Sequence, residues 1–410
     1  MENFSRARAL FAVYFIAAID NCGYAMVFAL FPPLLLDPEY GFLQQNPSVG
    51  ERLLAMGVLY AAFPIAQLIG APLIGDLADQ YGRKKIFYLT IIGTIGAYVF
   101  TGWVLLSKSI LLLFFARFLT GLFSGNQGLC NASIADLSPD AQKRAKNYGI
   151  LTVVWGISFP VALILGGFLS DPSVARSFSP SLPFYITGGI TALSLLTLTL
   201  FFQETFPQGS NTGKMHLLQG VKNIFEALRI KSTKPCFSLL LLLTLGWGFS
   251  ITWYGAYVLQ QFGVSQEMAT LGLMIRGLGW TLGGAFLKPL LLRTYSIWQI
   301  GKISYWSTTT FLFLAACMPT FFSFIAVYAF SAVANAVSLS SSFNFISLRA
   351  PSHMQGKAMG IAQSMISLGF FLVPILGALT GSISVATFYP VAALFLCLGS
   401  IVLGRIEKIS

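Results

Sequence analysis

The sequence predicts an all-α membrane protein with twelve transmembrane helices in two six-helix halves. Hydrophobic residues make up 56% of the 410 residues, only 10% are charged, and the mean hydropathy is +0.75. Soluble domains carry about 25% charged residues, so an ordinary soluble protein is excluded. Long apolar runs also recur along the whole chain, separated by short polar segments.

Each predicted span is an apolar window long enough to cross a hydrocarbon core of about 30 Å, which takes about 20 helical residues. The twelve windows are residues 9–34, 53–76, 84–106, 109–133, 147–170, 182–203, 237–262, 268–290, 300–318, 320–346, 355–380 and 384–404. The longest polar connection, residues 204–236, separates an N-terminal half, residues 1–203, from a C-terminal half, residues 237–410. Its stretch KMHLLQGVKNIFEALRIK predicts an amphipathic helix on the inner leaflet.

The basic residues predict the orientation of the spans. With the N-terminus in the cytoplasm, 20 of the 25 Lys and Arg residues fall in cytoplasmic segments, three fall outside and two lie within spans. We therefore expect both termini to be cytoplasmic. The same placement explains the net charge of +11 by membrane topology, so nucleic acid is not an expected partner.

The segment GDLADQYGRKK, residues 75–85, joins the second and third windows and carries two acids and three bases. Its glycines suit a sharp turn, and its bases suit the anionic inner leaflet. Neither reason explains Asp79, which lies four residues before Arg83 and within reach of an ion pair. Such a pair could latch one helix to another and break when the halves move. Anchoring of the loop by its bases alone is the alternative.

This segment has the pattern G-x-L-x-D-x-x-G-R-K, which resembles the signature loop of the major facilitator superfamily. The matching residues are Gly75, Leu77, Asp79, Gly82, Arg83 and Lys84. The family usually has a base after the Asp, whereas this chain has Gln80.

Further stretches of the first 170 residues resemble the branch that contains tetracycline and multidrug proton antiporters. One is an R-x-x-x-G-x-x-x-G motif at Arg117, Gly121 and Gly125. A second is the connection from the fourth span to the fifth, with Asp136, Pro139, Arg144 and Gly149. The third is a first span that contains Asp20, Pro32 and Pro33. The branch usually carries G-P-x-x-G-G late in the fifth span, but here Pro160 stands six residues before Gly166.

The resemblance implies a transporter that works by alternating access and exports small amphipathic molecules in exchange for protons. It implies a conformational latch built from Gly75, Asp79, Gly82, Arg83, Lys84, Asp136 and Arg144. We expect a monomer in the bacterial inner membrane, surrounded by lipids, with no cofactor. Uptake of a nutrient or metal chelate by proton symport is the alternative.

The two halves also show a faint internal repeat. The stretches that start at Lys146 and Lys357 align Gly149 with Gly360 and Gly166 with Gly377 at a constant shift of 211 residues. Weak similarity between halves is typical of secondary transporters, whose site lies between the repeats near the midplane.

Three charged residues lie deep in the predicted spans: Asp20, Arg117 and Arg276. A charge there costs at least about 2.5–3.5 kcal/mol, which favours a functional role. A carboxylate near an Arg can take and release a proton as solvent access alternates, so we assign proton coupling to Asp20 with Arg117. A permanent structural pair and a substrate contact are the alternatives for Asp20. Arg276 could attract an anionic substrate or hold a structural position.

Polar and aromatic residues within spans are candidates for lining a substrate cavity. The set is Gln67, Asn126, Gln127, Trp253, Tyr254, Arg276, Asn335 and Gln363. Packing between helices is the alternative for each of them. The same alternative applies to the small-residue patterns GLFSG and GWTLG, which predict close helix contacts.

An enzyme is not expected, because the chain has no nucleophile elbow, no metal-binding cluster of His, Cys and Asp, and no phosphate-binding G-x-x-x-x-G-K-[ST] motif. Without an ATP site, pumping must use an ion gradient. A receptor that has lost transport would not retain the deep charges and the latch motif. A passive channel would not need the repeat.

Overall fold

The computed structural model describes residues 2–36, 42–43, 47–138, 140–205, 222, 234–349 and 355–406. Every regular element in these ranges is a helix, and the helices follow the predicted windows in order. The amphipathic helix predicted within residues 204–236 lies almost wholly outside the described residues.

The first six spans have the following bounds. They are Glu2–Ala25 with Val27–Leu36, Val49–Tyr81, Arg83–Ser107, Ile110–Phe123 with Asn126–Leu137, Ala141–Gly167 and Leu182–Phe201. Tight turns separate some of these spans. Lys108, in the left-handed region at φ 53°, ends the third span, and the Ser109 side chain caps the fourth by accepting a hydrogen bond from the Leu112 N–H.

The other six spans follow residue 234. They are Lys234–Thr252 with Tyr254–Phe262, Gln266–Leu282 continued by a π-helical turn Gly283–Leu287 and by Lys288–Leu291, Ile297–Ala316, Phe321–Arg349, Gln355–Gly381 and Phe388–Arg405. Within the described ranges, ten segments are long and apolar enough to cross a membrane. The helices of the eighth and ninth spans complete the predicted twelve, and the predicted fold class is confirmed.

Glycines bring helices into backbone contact at the predicted small-residue patterns. A Cβ at Gly121 would overlap with the Phe63 carbonyl oxygen, and one at Gly70 would overlap with the Leu122 carbonyl oxygen. The second and fourth spans therefore pack backbone to backbone, as GLFSG predicts.

The same geometry recurs between the eighth and tenth spans. A Cβ at Gly279 would lie 2.8 Å from the Ala329 carbonyl oxygen, and one at Gly283 would overlap with the Val333 carbonyl oxygen. The second and fourth helices of each predicted half thus use glycine for the same contact.

Contacts divide the chain into two compact units. The first consists of Met1–Leu30 and Ala62–Gln219, and the second consists of Phe31–Ala61 and Gly220–Ser410. The second unit includes the end of the first span and the start of the second, so the units do not follow the predicted boundaries at residues 203 and 237. The division into two six-helix domains therefore stays a prediction.

Within the second unit, aromatic rings surround a break in the seventh span at Trp253. The Ser250 carbonyl, just before the break, accepts hydrogen bonds from the hydroxyls of Tyr328 at 2.7 Å and Tyr389 at 3.1 Å. A helix break leaves backbone carbonyls without N–H donors from the helix, and the two tyrosine hydroxyls act as donors to the Ser250 carbonyl instead. After the break, Trp253 packs against Phe388 of the twelfth span and Tyr254 packs against Tyr328 of the tenth.

Candidate functional site

The predicted latch segment forms a charged cluster at one end of the first unit. Gly82 separates the second and third spans with φ 94°, a conformation that favours glycine. This turn places Arg83 at the start of the next helix, where Nη1 lies 2.6 Å from Oδ1 of Asp79. Arg83 Nε is also 3.5 Å from Oδ2 of Asp136, at the end of the fourth span. The predicted Asp79–Arg83 ion pair is therefore formed.

Glu204, just after the sixth span, completes this cluster and was missed by sequence reasoning. Its Oε1 accepts a hydrogen bond from the Arg83 N–H at 2.9 Å, and its Oε2 accepts one from the Lys84 N–H at 3.0 Å. A Cβ at Gly82 would overlap with Oε2. The carboxylate therefore caps the third helix, where the free N–H groups and the helix dipole favour an anion.

Thr205 ties this cap to the fourth span. Its hydroxyl donates to Oδ2 of Asp136 at 3.2 Å, and its N–H donates to Oε1 of Glu204 at 3.0 Å. For Glu204, the only signal in the sequence was that this acid directly follows an apolar window.

Two other predicted latch residues add no contact to this cluster. Gly75 has open space around its Cβ position, and the Arg144 side chain lies outside the described residues. Action of the cluster as a conformational latch stays a prediction.

Asp20 lies in the first span and is directed at the fourth. Its Oδ1 accepts a hydrogen bond from the Asn126 amide at 3.3 Å. The amide oxygen of Asn126 accepts in turn from the Thr90 hydroxyl at 2.5 Å. Because the Thr90 bond occupies that oxygen, the amide nitrogen is oriented toward the carboxylate. Asp20 keeps partial exposure, whereas Asn126 is buried.

Arg117 lies in Ile110–Phe123, the first helix of the fourth span, before the turn that leads to Asn126. It is 1% exposed, and its guanidinium carbon is 5.0 Å from the centroid of the Phe63 ring. Tyr98, which sequence reasoning also missed, is 1% exposed, and its ring packs against Phe184 with centroids 6.4 Å apart. Proton coupling through Asp20 and Arg117 stays a prediction.

Gly23 makes room for this tyrosine. A Cβ at Gly23 would overlap with the Tyr98 hydroxyl. Gly23 follows Asp20 by three residues, so the two lie on the same face of the first helix. The phenol therefore packs next to the carboxylate position, in contact with the backbone.

The second unit holds the other deep charge among polar and aromatic groups. Arg276, in the eighth span, is 3% exposed, and its guanidinium carbon lies 5.3 Å from the Tyr328 ring centroid and 6.0 Å from the Trp280 ring centroid. Trp280 stacks on Trp247 with centroids 4.8 Å apart. Arg276 is thus a buried cation that packs against aromatic side chains.

The remaining cavity candidates occupy different environments. Trp253 is fully buried, and its Nε1 donates to the Val373 carbonyl at 3.2 Å, so it has a clear packing role. Gln67 and Gln127 are partly exposed, and Gln363 is exposed. Contact of these residues with a substrate stays a prediction.

Comparisons with known proteins agree with the fold and with the loop motif. A sequence profile described as Major Facilitator Superfamily matches residues 13–374. The chain is 24% identical over 369 residues to the class B tetracycline resistance protein of Escherichia coli, covering 88% of this chain and 86% of that protein. It is 24% identical over 410 residues to the quinolone resistance protein NorA of Staphylococcus aureus, covering 98% and 97%.

A third relative matches a shorter part of the chain. The class H tetracycline resistance protein of Pasteurella multocida is 28% identical over 200 residues, which is 48% of this chain and 45% of that protein. The crystal structure of a D-xylose-proton symporter superposes with a TM-score of 0.78 at 18% identity, covering 98% of each chain. The profile match and the twelve-helix fold lead to one conclusion: this integral membrane protein belongs to the Major Facilitator Superfamily, whose members are transporters and not enzymes.

Proposed function

We propose that this protein exports small amphipathic molecules by alternating access, in exchange for protons. The similarity to tetracycline and quinolone resistance proteins supports this direction and substrate class. Both relatives are matched over most of their length, and the loop motif that resembles the superfamily signature forms its Asp79–Arg83 pair. The proposal includes a plasma membrane location with both termini in the cytoplasm, as the basic residues predict.

The observation that carries the proton coupling is the Asp20 carboxylate within a membrane span, hydrogen bonded to Asn126. An ionised carboxylate there costs at least about 2.5–3.5 kcal/mol on insertion scales, whereas a neutral one costs far less. The Asn126 N–H stabilises the ionised form, and exposure to water changes as access alternates. Asp20 can therefore load a proton from one side and release it on the other.

Proteoliposomes that contain a trapped pH-sensitive dye test this proposal. Tetracycline and ethidium serve as probe substrates, and the proton flux that depends on each probe is measured. We expect wild-type flux well above that of empty vesicles, and at least about a tenfold loss in Asp20→Asn, because the amide cannot titrate.

A matched control is Glu267→Gln, which neutralises an exposed acid in the first turn of the eighth span and should leave the flux unchanged. Equal probe-coupled proton flux in wild type and Asp20→Asn would remove Asp20 from the mechanism. Retained folding of the variant is checked by its thermal unfolding curve.

Uptake by proton symport is the second candidate. The departure at Pro160 from the usual antiporter motif favours it, as does Arg276, a buried cation suited to an anionic nutrient or chelate. The same vesicles distinguish the two directions. Protons and probe that enter together indicate symport, whereas opposite movement indicates export.

A further inference from the structure

Arg276 is a buried cation that has no carboxylate partner among the described residues. Among the residues that the structure describes, it makes no hydrogen bond and no ion pair, and its Nε is sealed from solvent. The rings of Tyr328 and Trp280 offer it cation–π contacts at 5.3 and 6.0 Å. Such contacts use the face of the guanidinium and leave its N–H groups unbonded. Buried polar groups are nearly always bonded, so this arrangement indicates a missing acceptor.

Two more donors without partners lie around the same rings. The Tyr254 hydroxyl is buried and makes no hydrogen bond to any residue that the structure describes, and its ring stacks on Tyr328 with centroids 5.6 Å apart. A Cβ at Gly272, one helical turn before Arg276, would overlap with that hydroxyl. The Trp247 Nε1 also lacks an acceptor within the described ranges, and its ring stacks on Trp280. Arg276, Tyr254 and Trp247 are thus linked through two shared rings.

Asn335 adds a fourth group. It is 2% exposed, and both polar atoms of its amide lack hydrogen-bond partners within the described chain. It follows Tyr328 by seven residues, which is two helical turns, so both lie on one face of the tenth span. That span contacts the eighth closely at Gly279 and Gly283. Asn335 therefore lies on the same face of the tenth span as Tyr328, whose ring packs against the Arg276 guanidinium.

We propose that Arg276, Tyr254, Trp247 and Asn335 form a binding subsite for an aromatic carboxylate. The guanidinium fork matches a carboxylate with paired hydrogen bonds, and the hydroxyl and amide supply further donors. The Trp247–Trp280 stack supplies an aromatic surface beside the cation. This inference rests on the proposed function, because it places amphipathic organic anions among the substrates of the transporter.

Binding of two probes with the same ring and opposite charge tests the subsite. The full-length protein in lipid nanodiscs is titrated by calorimetry with 2-naphthoate and with 2-naphthylmethylammonium, without a proton gradient. We expect saturable binding of naphthoate and at least about tenfold weaker binding of the ammonium compound, because only the anion meets the unbonded donors.

Variants locate the binding. We expect Arg276→Gln to weaken naphthoate at least about tenfold, and Tyr254→Phe and Asn335→Ala about threefold each. Arg293→Gln neutralises an exposed cation beyond the same span and should bind like wild type. The unfolding temperature of each variant shows whether it is folded.

Equal affinity for the two probes overturns the inference, as does unchanged naphthoate affinity in folded Arg276→Gln. If Arg276→Gln does not fold, unchanged affinity in both Tyr254→Phe and Asn335→Ala has the same consequence. The two proposals can fail independently. If the flux assay shows no proton coupling, naphthoate can still bind at Arg276. If naphthoate does not bind, the effect of Asp20→Asn on proton flux still tests the proposed function.

Discussion

Glu204→Gln isolates the cap on the third span. The carboxylate accepts hydrogen bonds from two backbone N–H groups, those of Arg83 at 2.9 Å and Lys84 at 3.0 Å. Glutamine keeps one acceptor oxygen and turns an NH₂ group toward the other N–H, so one bond and the negative charge are lost. Loss of a helix cap costs about 0.5–2 kcal/mol, and a surface charge at a helix N-terminus contributes about 0.3–1 kcal/mol.

Because Glu204 is exposed, we expect the lost cap and the lost charge together to cost near the low end of these two ranges combined, about 1 kcal/mol. This corresponds to about a fivefold change in the local opening equilibrium. Hydrogen exchange of a peptide that covers residues 82–88 measures it directly. We expect the amides of Arg83 and Lys84 to exchange about fivefold faster in Glu204→Gln, since exchange follows local opening.

The exchange of the twelfth span serves as an internal reference, and Glu267→Gln serves as the matched variant. Unchanged protection of the two amides in a folded Glu204→Gln protein would show that the carboxylate does not cap this helix. Faster exchange throughout the chain would indicate a global loss of stability instead, and would equally contradict a local cap.

Three further substitutions test the contacts described above. Gly82→Ala should destabilise the protein by about 1–2 kcal/mol, because a side chain at φ 94° is strained and meets Glu204; thermal unfolding in detergent measures it. Gly121→Val should cost about 1–3 kcal/mol by separating the second and fourth spans at Phe63, and an unchanged unfolding temperature would refute that backbone contact. Asp79→Asn removes a partly exposed ion pair and should change stability by only about 0.5 kcal/mol while probe efflux from vesicles falls; full efflux would argue against a latch.

Much of the fold follows from one-dimensional properties of the sequence. The thickness of the hydrocarbon core sets the length of each span, so apolar windows alone predict the twelve helices. Small residues at helical spacing, as in GLFSG and GWTLG, predict close packing, because only they let two backbones meet. A charge in an apolar run identifies Asp20, Arg117 and Arg276 as candidates without any knowledge of their neighbours.

The partners of these residues could not be predicted, because they depend on how distant helices meet. Glu204 caps a helix that begins 121 residues earlier at Arg83, and Asn126 reaches Asp20 across 106 residues. Their spacing along the chain carries no signal for either contact. The rotation of each helix about its axis decides which side chains face one another, and that rotation follows from packing of whole helices.

The sequence by itself therefore determined the membrane class, the number of spans and the identity of the deep charges, since these depend on local hydropathy and charge. Only the tertiary structure decided which charges are paired. It gives Arg83 carboxylate partners and leaves Arg276 among unbonded donors, within the part of the chain that it describes. The physical reason is that the free-energy cost of placing a charge in an apolar span can be read from the sequence. The hydrogen bonds and ion pairs that offset this cost come from groups that only folding brings close together.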